Sequence, residues 1–178
     1  MSDGPQARAL CDSDIDAACA VVEAAFAASA LGHHGEARLV RMLHADGEIV
    51  AATVAELDDQ IVGMALFSRM AVVADGRPLV AAALAPVAVL PELWQRGIGG
   101  ALIRAGHDLL RDKGVAISFV LGHPGYYPRF GYDAALAAPY RSAYAGRHFM
   151  ACYLDSAVPL PESGVADYAP AFARMEDA

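Results

Sequence analysis

With 178 residues, 56% of them hydrophobic and 19% charged, the chain is long enough to bury a core and reads as one globular domain. A net charge of −8 disfavours nucleic acid as a partner, because gripping a phosphate backbone takes a basic face. Three cysteines without close pairing, no uninterrupted apolar run of membrane-spanning length and no basic-then-apolar leader predict a cytoplasmic protein with no disulfide framework, metal site or membrane span.

Along the chain, Ala7 to Leu10 reads as a first strand. Asp12 or Ser13 then caps a helix to about Ala28, with Ile15, Cys19, Val22 and Phe26 on one face. Gly32-His33-His34-Gly35 breaks it, and Glu36 to Ala45 follows as a shorter helix with Leu39, Met42 and Leu43 turned inward. Ile49 to Leu57 and Ile61 to Val73 pair as a hairpin across Asp58-Asp59-Gln60. A turn at Ala74-Asp75-Gly76-Arg77 leads to a strand from Leu79 to Leu90. Gly99 to Lys113 is the most regular amphipathic helix, closed by Lys113-Gly114. Val115 to Leu121 is a further strand, followed by a helical turn at Tyr126 to Phe130. Strands are expected near Tyr132 to Leu136 and Arg147 to Leu154, and Ala157 to Gly164 reads as a loose segment.

The richest stretch is Leu84 to Leu102, where an apolar strand meets Pro91, a short polar loop, Gly97-Ile98-Gly99-Gly100 and a helix. Amides at such a junction are unpaired, the helix dipole adds positive potential, and glycines let the backbone approach a bulky anion. The junction is suited to a phosphate or pyrophosphate. A dinucleotide fingerprint starting at Gly97 and Gly99 would need a small residue where Leu102 stands, and no Gly-Lys-Ser/Thr occurs for a P-loop.

Val89, Pro91 and, six residues after that Pro, Gly97-Ile98-Gly99 resemble the acetyl-CoA signature of the GNAT N-acetyltransferases. The block Val120-Leu121-Gly122-His123-Pro124-Gly125-Tyr126-Tyr127-Pro128-Arg129-Phe130-Gly131-Tyr132 resembles the late motif Tyr-x-x-x-Gly-Phe/Tyr of that family. Its doubled Tyr with Pro-Arg-Phe-Gly, and the phrases Phe149 to Leu154 and Gly164 to Phe172, are similar to one bacterial subgroup, the YhbS-like predicted acetyltransferases. One departure is Trp94, which stands where the family usually has Gln or Arg, with Gln95 and Arg96 one place further on.

The resemblance implies a mixed α/β (α+β) fold with a mostly antiparallel central sheet, splayed fourth and fifth strands and flanking helices. It implies one domain over residues 1–178, with a core of about 6–155 and a C-terminal extension from 156. The cosubstrate would be acetyl-CoA, with no metal. Its pyrophosphate would lie on the amides of Gln95, Arg96, Gly97, Ile98, Gly99 and Gly100, and its pantetheine arm beside the backbone of Val87, Ala88 and Val89. Pro86 removes a ladder donor there and suits a bulged or splayed strand. Tyr127, four residues before Gly131, matches the family's general acid, with Tyr126 as the rival; the plain alternative is that both rings only pack.

The general base is unassigned. No carboxylate lies on Leu79 to Leu90, and His123, just past the fifth strand, competes with a water chain and with an ordinary loop role. His33, His34 and His44 lack a carboxylate at ligand-like spacing, and the Leu31 to Arg38 connection is expected to border the acceptor. Trp94 is weighed as an adenine platform against packing, and Arg96 and Arg129 as ligand contacts against surface charges. The favoured activity moves an acetyl group to a primary amine by direct attack in a ternary complex. The alternative is an acyl-CoA-binding sensor with little catalysis. The acceptor stays open, and dimers are common among such enzymes, which allows a homodimer.

Overall fold

Apolar alternation is realised as strands at Gln6–Ala9 (β1), Ile49–Leu57 (β2), Gln60–Ala74 (β3), Arg77–Val89 (β4), Ile117–Leu121 (β5), Tyr140–Arg141 (β6), Phe149–Tyr153 (β7) and Gly164–Tyr168 (β8). They form one eight-stranded sheet in a computed structural model that describes residues 4–29 and 35–176. The order is β1-β2-β3-β4-β5-β7, antiparallel except between β4 and β5; β8 continues the β2 side of β3, and β6 joins β8 in parallel. The helices are Ile15–Ala27 (α1), Glu36–Ala45 (α2), Ile98–Asp112 (α3), Ala134–Ala137 (α4) and Pro170–Glu176 (α5). Val54, Met64, Leu66 and Ala88 pack against α1 and α2 on one face, while Ala55, Ala65, Phe67 and Leu84 pack against α3 on the other. The period-two pattern of β2 and β3 thus serves two cores, one on each side of the sheet.

The central event in β4 is a register shift. Ala65 faces Val87 and Phe67 faces Leu84, so Leu66 alone opposes Ala85 and Pro86. Parallel pairing with β5 runs from Ala81 opposite Ile117 to Leu84 opposite Val120 and goes no further. Past Leu84 the two strands diverge, giving the splay expected around Pro86. The Leu90 N–H donates to the Val62 carbonyl, so by antiparallel alternation Ala88 bonds to β3 while Val87 and Val89 turn their N–H and C=O groups to the open edge.

Three expectations need correction. Tyr132 to Leu136 is not a strand: Asp133 makes one bridge to Ala151, and its carboxylate accepts the Ala135 N–H at 2.7 Å to cap α4. An Asp followed by a run rich in Ala favours a capped helix locally over a strand. Asp12 and Ser13 do not cap α1; they lie in a 3-10 turn, where the Asp14 carboxylate accepts the Cys11 N–H at 2.8 Å and pairs with Arg8. The segment after Asp155 contributes β8 to the sheet and α5 to the core under α1 and α2. Asp75 secures its entry, its Oδ1 accepting the amides of Glu162 at 3.1 Å and Ser163 at 3.0 Å. His33 and His34 lie outside the described residues.

Behind β5 a buried polar chain ties α3 to the sheet. The Tyr132 hydroxyl lies 2.8 Å from Ser118 Oγ and 3.0 Å from His107 Nε2. Burial, assisted by the Arg111 charge, holds the His107 imidazole down at about 4 from an ordinary 6.5. The unfolded chain therefore binds this proton at higher pH than the folded one. Stability is expected to fall as pH drops from 6.5 towards 4, by up to about 3 kcal/mol. Urea titrations across that window measure the slope. His107→Gln should flatten it, and an unchanged slope would discharge His107 as its source.

Candidate active site

The site forms where β4 runs into α3. A 3-10 turn at Pro91–Leu93 ends the strand direction, and the chain re-enters through Gln95 at φ 65 and Gly97 at φ 79. Gly97 takes this left-handed conformation without cost, whereas Gln95 is a non-glycine residue held there by the loop. Gly97 is the N-cap of α3, with no side chain capping it. The first intrahelical bond runs from the Ala101 N–H to the Gly97 carbonyl, so the amides of Ile98, Gly99 and Gly100 precede the ladder and remain available.

A cleft of about 620 Å³ opens between these amides, the β4 edge and the turn Tyr127–Phe130. Val87, Val89, Gln95, Gly97, Ile98, Gly99, Gly100, Tyr126 and Tyr127 line it together. Two other predicted residues stand elsewhere. The Ala88 side chain is buried in the α1/α2 core, so only its backbone belongs to the strand beside the cleft. Arg96 is exposed and outside the lining. Leu93, Trp94, Arg104, Arg129 and Phe130 complete the wall. Arg104, one helical turn after Gly100, carries no motif signal of its own, whereas Arg129, weighed above as a ligand contact, stands three residues after Tyr126.

The two tyrosines have different surroundings. A Cβ on Gly99 would lie 3.0 Å from the Tyr126 hydroxyl, which therefore sits over the start of α3. The Tyr127 ring lies against Gly122, the residue after β5, where a Cβ would come within 2.1 Å of its Cε2. Tyr127 also meets Tyr126 and Tyr132 edge to face, at 5.1 and 6.0 Å between centroids. Burial, together with the neighbouring Tyr126, pushes the Tyr127 phenol up to about 12. Burial also raises Tyr126, against the opposing charges of Arg129 and Arg104. Both are neutral donors at pH 7.

Trp94 donates its indole N–H to the Val89 carbonyl at 2.7 Å, tying the loop to the strand edge while the ring stays 45% exposed. The remaining edge groups of β4 are the N–H and C=O of Val87 and the N–H of Val89. His123 does not line the cleft; its Nδ1 accepts the Gly125 N–H at 3.0 Å and shapes the turn. Among the described residues no carboxylate lines the cleft, and no group of three or more His, Cys, Asp and Glu is placed to hold a metal ion. No helix among them is long and apolar enough to cross a membrane.

Residues 6–135 match the family of the Acetyltransferase (GNAT) domain. The chain is 39% identical over 118 residues to an Escherichia coli K12 protein named uncharacterized N-acetyltransferase YjhQ, covering 62% of this chain and 65% of that protein. It is 34% identical over 112 residues to the uncharacterized N-acetyltransferase YhbS of the same strain, covering 62% of this chain and 66% of that protein. The match therefore spans just under two thirds of each of these relatives' own length. The crystal structure of Escherichia coli YhbS in complex with CoA superposes with a TM-score of 0.82 at 27% identity, over 96% of this chain and 92% of that one. A GNAT family acetyltransferase from Brucella melitensis in complex with acetyl-CoA superposes with a TM-score of 0.77 at 32% identity, over 94% and 97% of the two chains.

Proposed function

The chain belongs to the GNAT acetyltransferase family, and from that premise we propose that it transfers the acetyl group of acetyl-CoA to a primary amine by direct attack in a ternary complex, its residues 1–178 acting as one domain. The observation that carries this reading is that one cleft joins an open strand edge to the bare amides of a helix start. The fit to acetyl-CoA is chemical. The Gly97 to Gly100 backbone, at the positive end of α3, suits a pyrophosphate. The Val87 and Val89 edge groups suit the amides of an extended arm. When bound, acetyl-CoA supplies the thioester and the thiolate that must leave.

The chain's own residues then have distinct tasks. An outward-facing N–H of Val87 or Val89 stabilises negative charge on a carbonyl oxygen lying at the edge. Val87, Val89 and Phe130 exclude water on the apolar side of the cleft. Tyr127 holds its proton through the neutral range and delivers it to the departing sulfur, while the proton shed by the attacking amine leaves to solvent, from which the Tyr127 phenolate is reprotonated. Tyr126, with its hydroxyl over Gly99, is placed to donate to a phosphate oxygen instead.

Release of free CoA thiol from acetyl-CoA, followed over a broad panel of amines, tests the proposal. Amine-dependent release is the expected result and names the acceptor class. Acetyl-CoA binding with no release for any amine would make the protein an acyl-CoA sensor instead.

A further inference from the structure

Two cations in the cleft have no task in the reading above. Arg104 on α3 and Arg129 in the turn after Tyr126 both line it. Neither is in an ion pair with a described carboxylate, whereas Arg8, Arg41, Arg69, Arg111 and Arg174 each hold an Asp or Glu. In a chain of net charge −8, two unneutralised guanidinium groups on one cleft concentrate positive potential there. Both are positioned by contacts that leave the charge intact. Arg104 lies over the Phe130 ring at 5.1 Å, and Arg129 lies over the Tyr126 ring at 4.7 Å while donating to the Gly125 carbonyl at 3.2 Å.

Their place relative to the amides sets the direction of a bound chain. A Cβ on Gly99 would touch the Tyr126 hydroxyl, Val87 and Val89, whereas one on Gly100 would touch Arg104 and Phe130. The amide-rich start of α3 therefore has the strand edge on its Gly99 side and Arg104 on its Gly100 side, with Arg129 reaching the cleft over the Tyr126 ring that packs on Phe130. Coenzyme A is linear, with the acyl-pantetheine arm on one side of its pyrophosphate and the 3′-phosphorylated adenosine on the other. With the pyrophosphate on the amides and the arm along β4, the adenosine end leaves towards Arg104 and Arg129.

Resting on the acetyl-CoA reading, we propose that Arg104 and Arg129 bind the 3′-phosphate of coenzyme A and so select the complete cosubstrate over its dephosphorylated form. The guanidinium fork suits a phosphate, which offers oxygens to two arginines at once.

Calorimetric titration of CoA and of 3′-dephospho-CoA into the native protein, Arg104→Gln and Arg129→Gln tests this. CoA is expected to bind the native protein roughly tenfold more tightly than dephospho-CoA. Each variant should lose several-fold in CoA affinity and keep its affinity for dephospho-CoA. Equal affinities in the native protein, or variants that weaken both ligands alike, would overturn the assignment and leave the acetyl-CoA reading standing. Binding of neither ligand to the native protein would overturn that reading and this assignment with it.

Discussion

Tyr127→Phe is expected to lower kcat for acetyl transfer by about 100-fold or more, the range a positioned general acid supplies. That corresponds to roughly 3 kcal/mol of barrier. Affinity for acetyl-CoA should change little. The ring's contacts with Gly122, Tyr126 and Tyr132 belong to its six-membered ring, which Phe keeps. The pH profile adds a second check. With the phenol at about 12, the acid is lost only as pH rises towards that value, so no descending limb from Tyr127 should appear between pH 7 and 10. Steady-state kinetics beside a direct binding measurement separate the effects. A native rate in Tyr127→Phe with a collapsed rate in Tyr126→Phe would move the acid to Tyr126 and return its neighbour to packing.

Gly122→Ala should disable the same step without touching a reacting group. The added methyl would meet Tyr127 at 2.1 Å from Cε2 and 2.6 Å from Cδ2, so the ring must move. Its neighbours Tyr126 and Tyr132 close two of the other sides. We expect a kcat loss of about 100-fold, like that of Tyr127→Phe, and a stability cost of about 1–3 kcal/mol from overpacking. Binding of acetyl-CoA should be nearly preserved, because the amides at the start of α3 lie on another element. The double variant Gly122→Ala/Tyr127→Phe is the decisive comparison. If both changes act through one hydroxyl, it should be scarcely slower than either single variant. Losses that multiply would mean that Gly122 serves something other than the placement of Tyr127.

Much of the sheet was legible because its signals are local. The alternation from Ile49 to Leu90 and the turns at Asp58-Asp59 and Asp75-Gly76 set the long hairpins directly, both residues of each turn adopting positive φ. Pro86 marked the strand that would bulge, and the bulge is there. Local signals also misled. The run after Asp133 is expected as a strand, but its own capping residue and alanines make a helix. β8 escaped because five residues beginning with Gly carry little pattern, and their pairing partner on β3 lies some ninety residues away in the chain.

The strand–loop–helix with its Gly97-Ile98-Gly99-Gly100 start is a local property of the chain, since unpaired amides at a helix N-terminus follow from covalent structure and backbone geometry alone. The two tyrosines in the turn after the fifth strand are equally local, but what each of them faces depends on the packing around it. One residue of 3-10 turn sends Tyr126 over Gly99 and lays Tyr127 on Gly122, a difference no motif register encodes. Tertiary structure also decided which cations share the cleft, because Arg104 and Arg129 come from elements that meet only when α3 and the turn after β5 pack across the gap between β4 and β5. Side-chain direction and long-range pairing depend on the whole packed sheet, and a linear pattern carries only the part that each element would adopt alone.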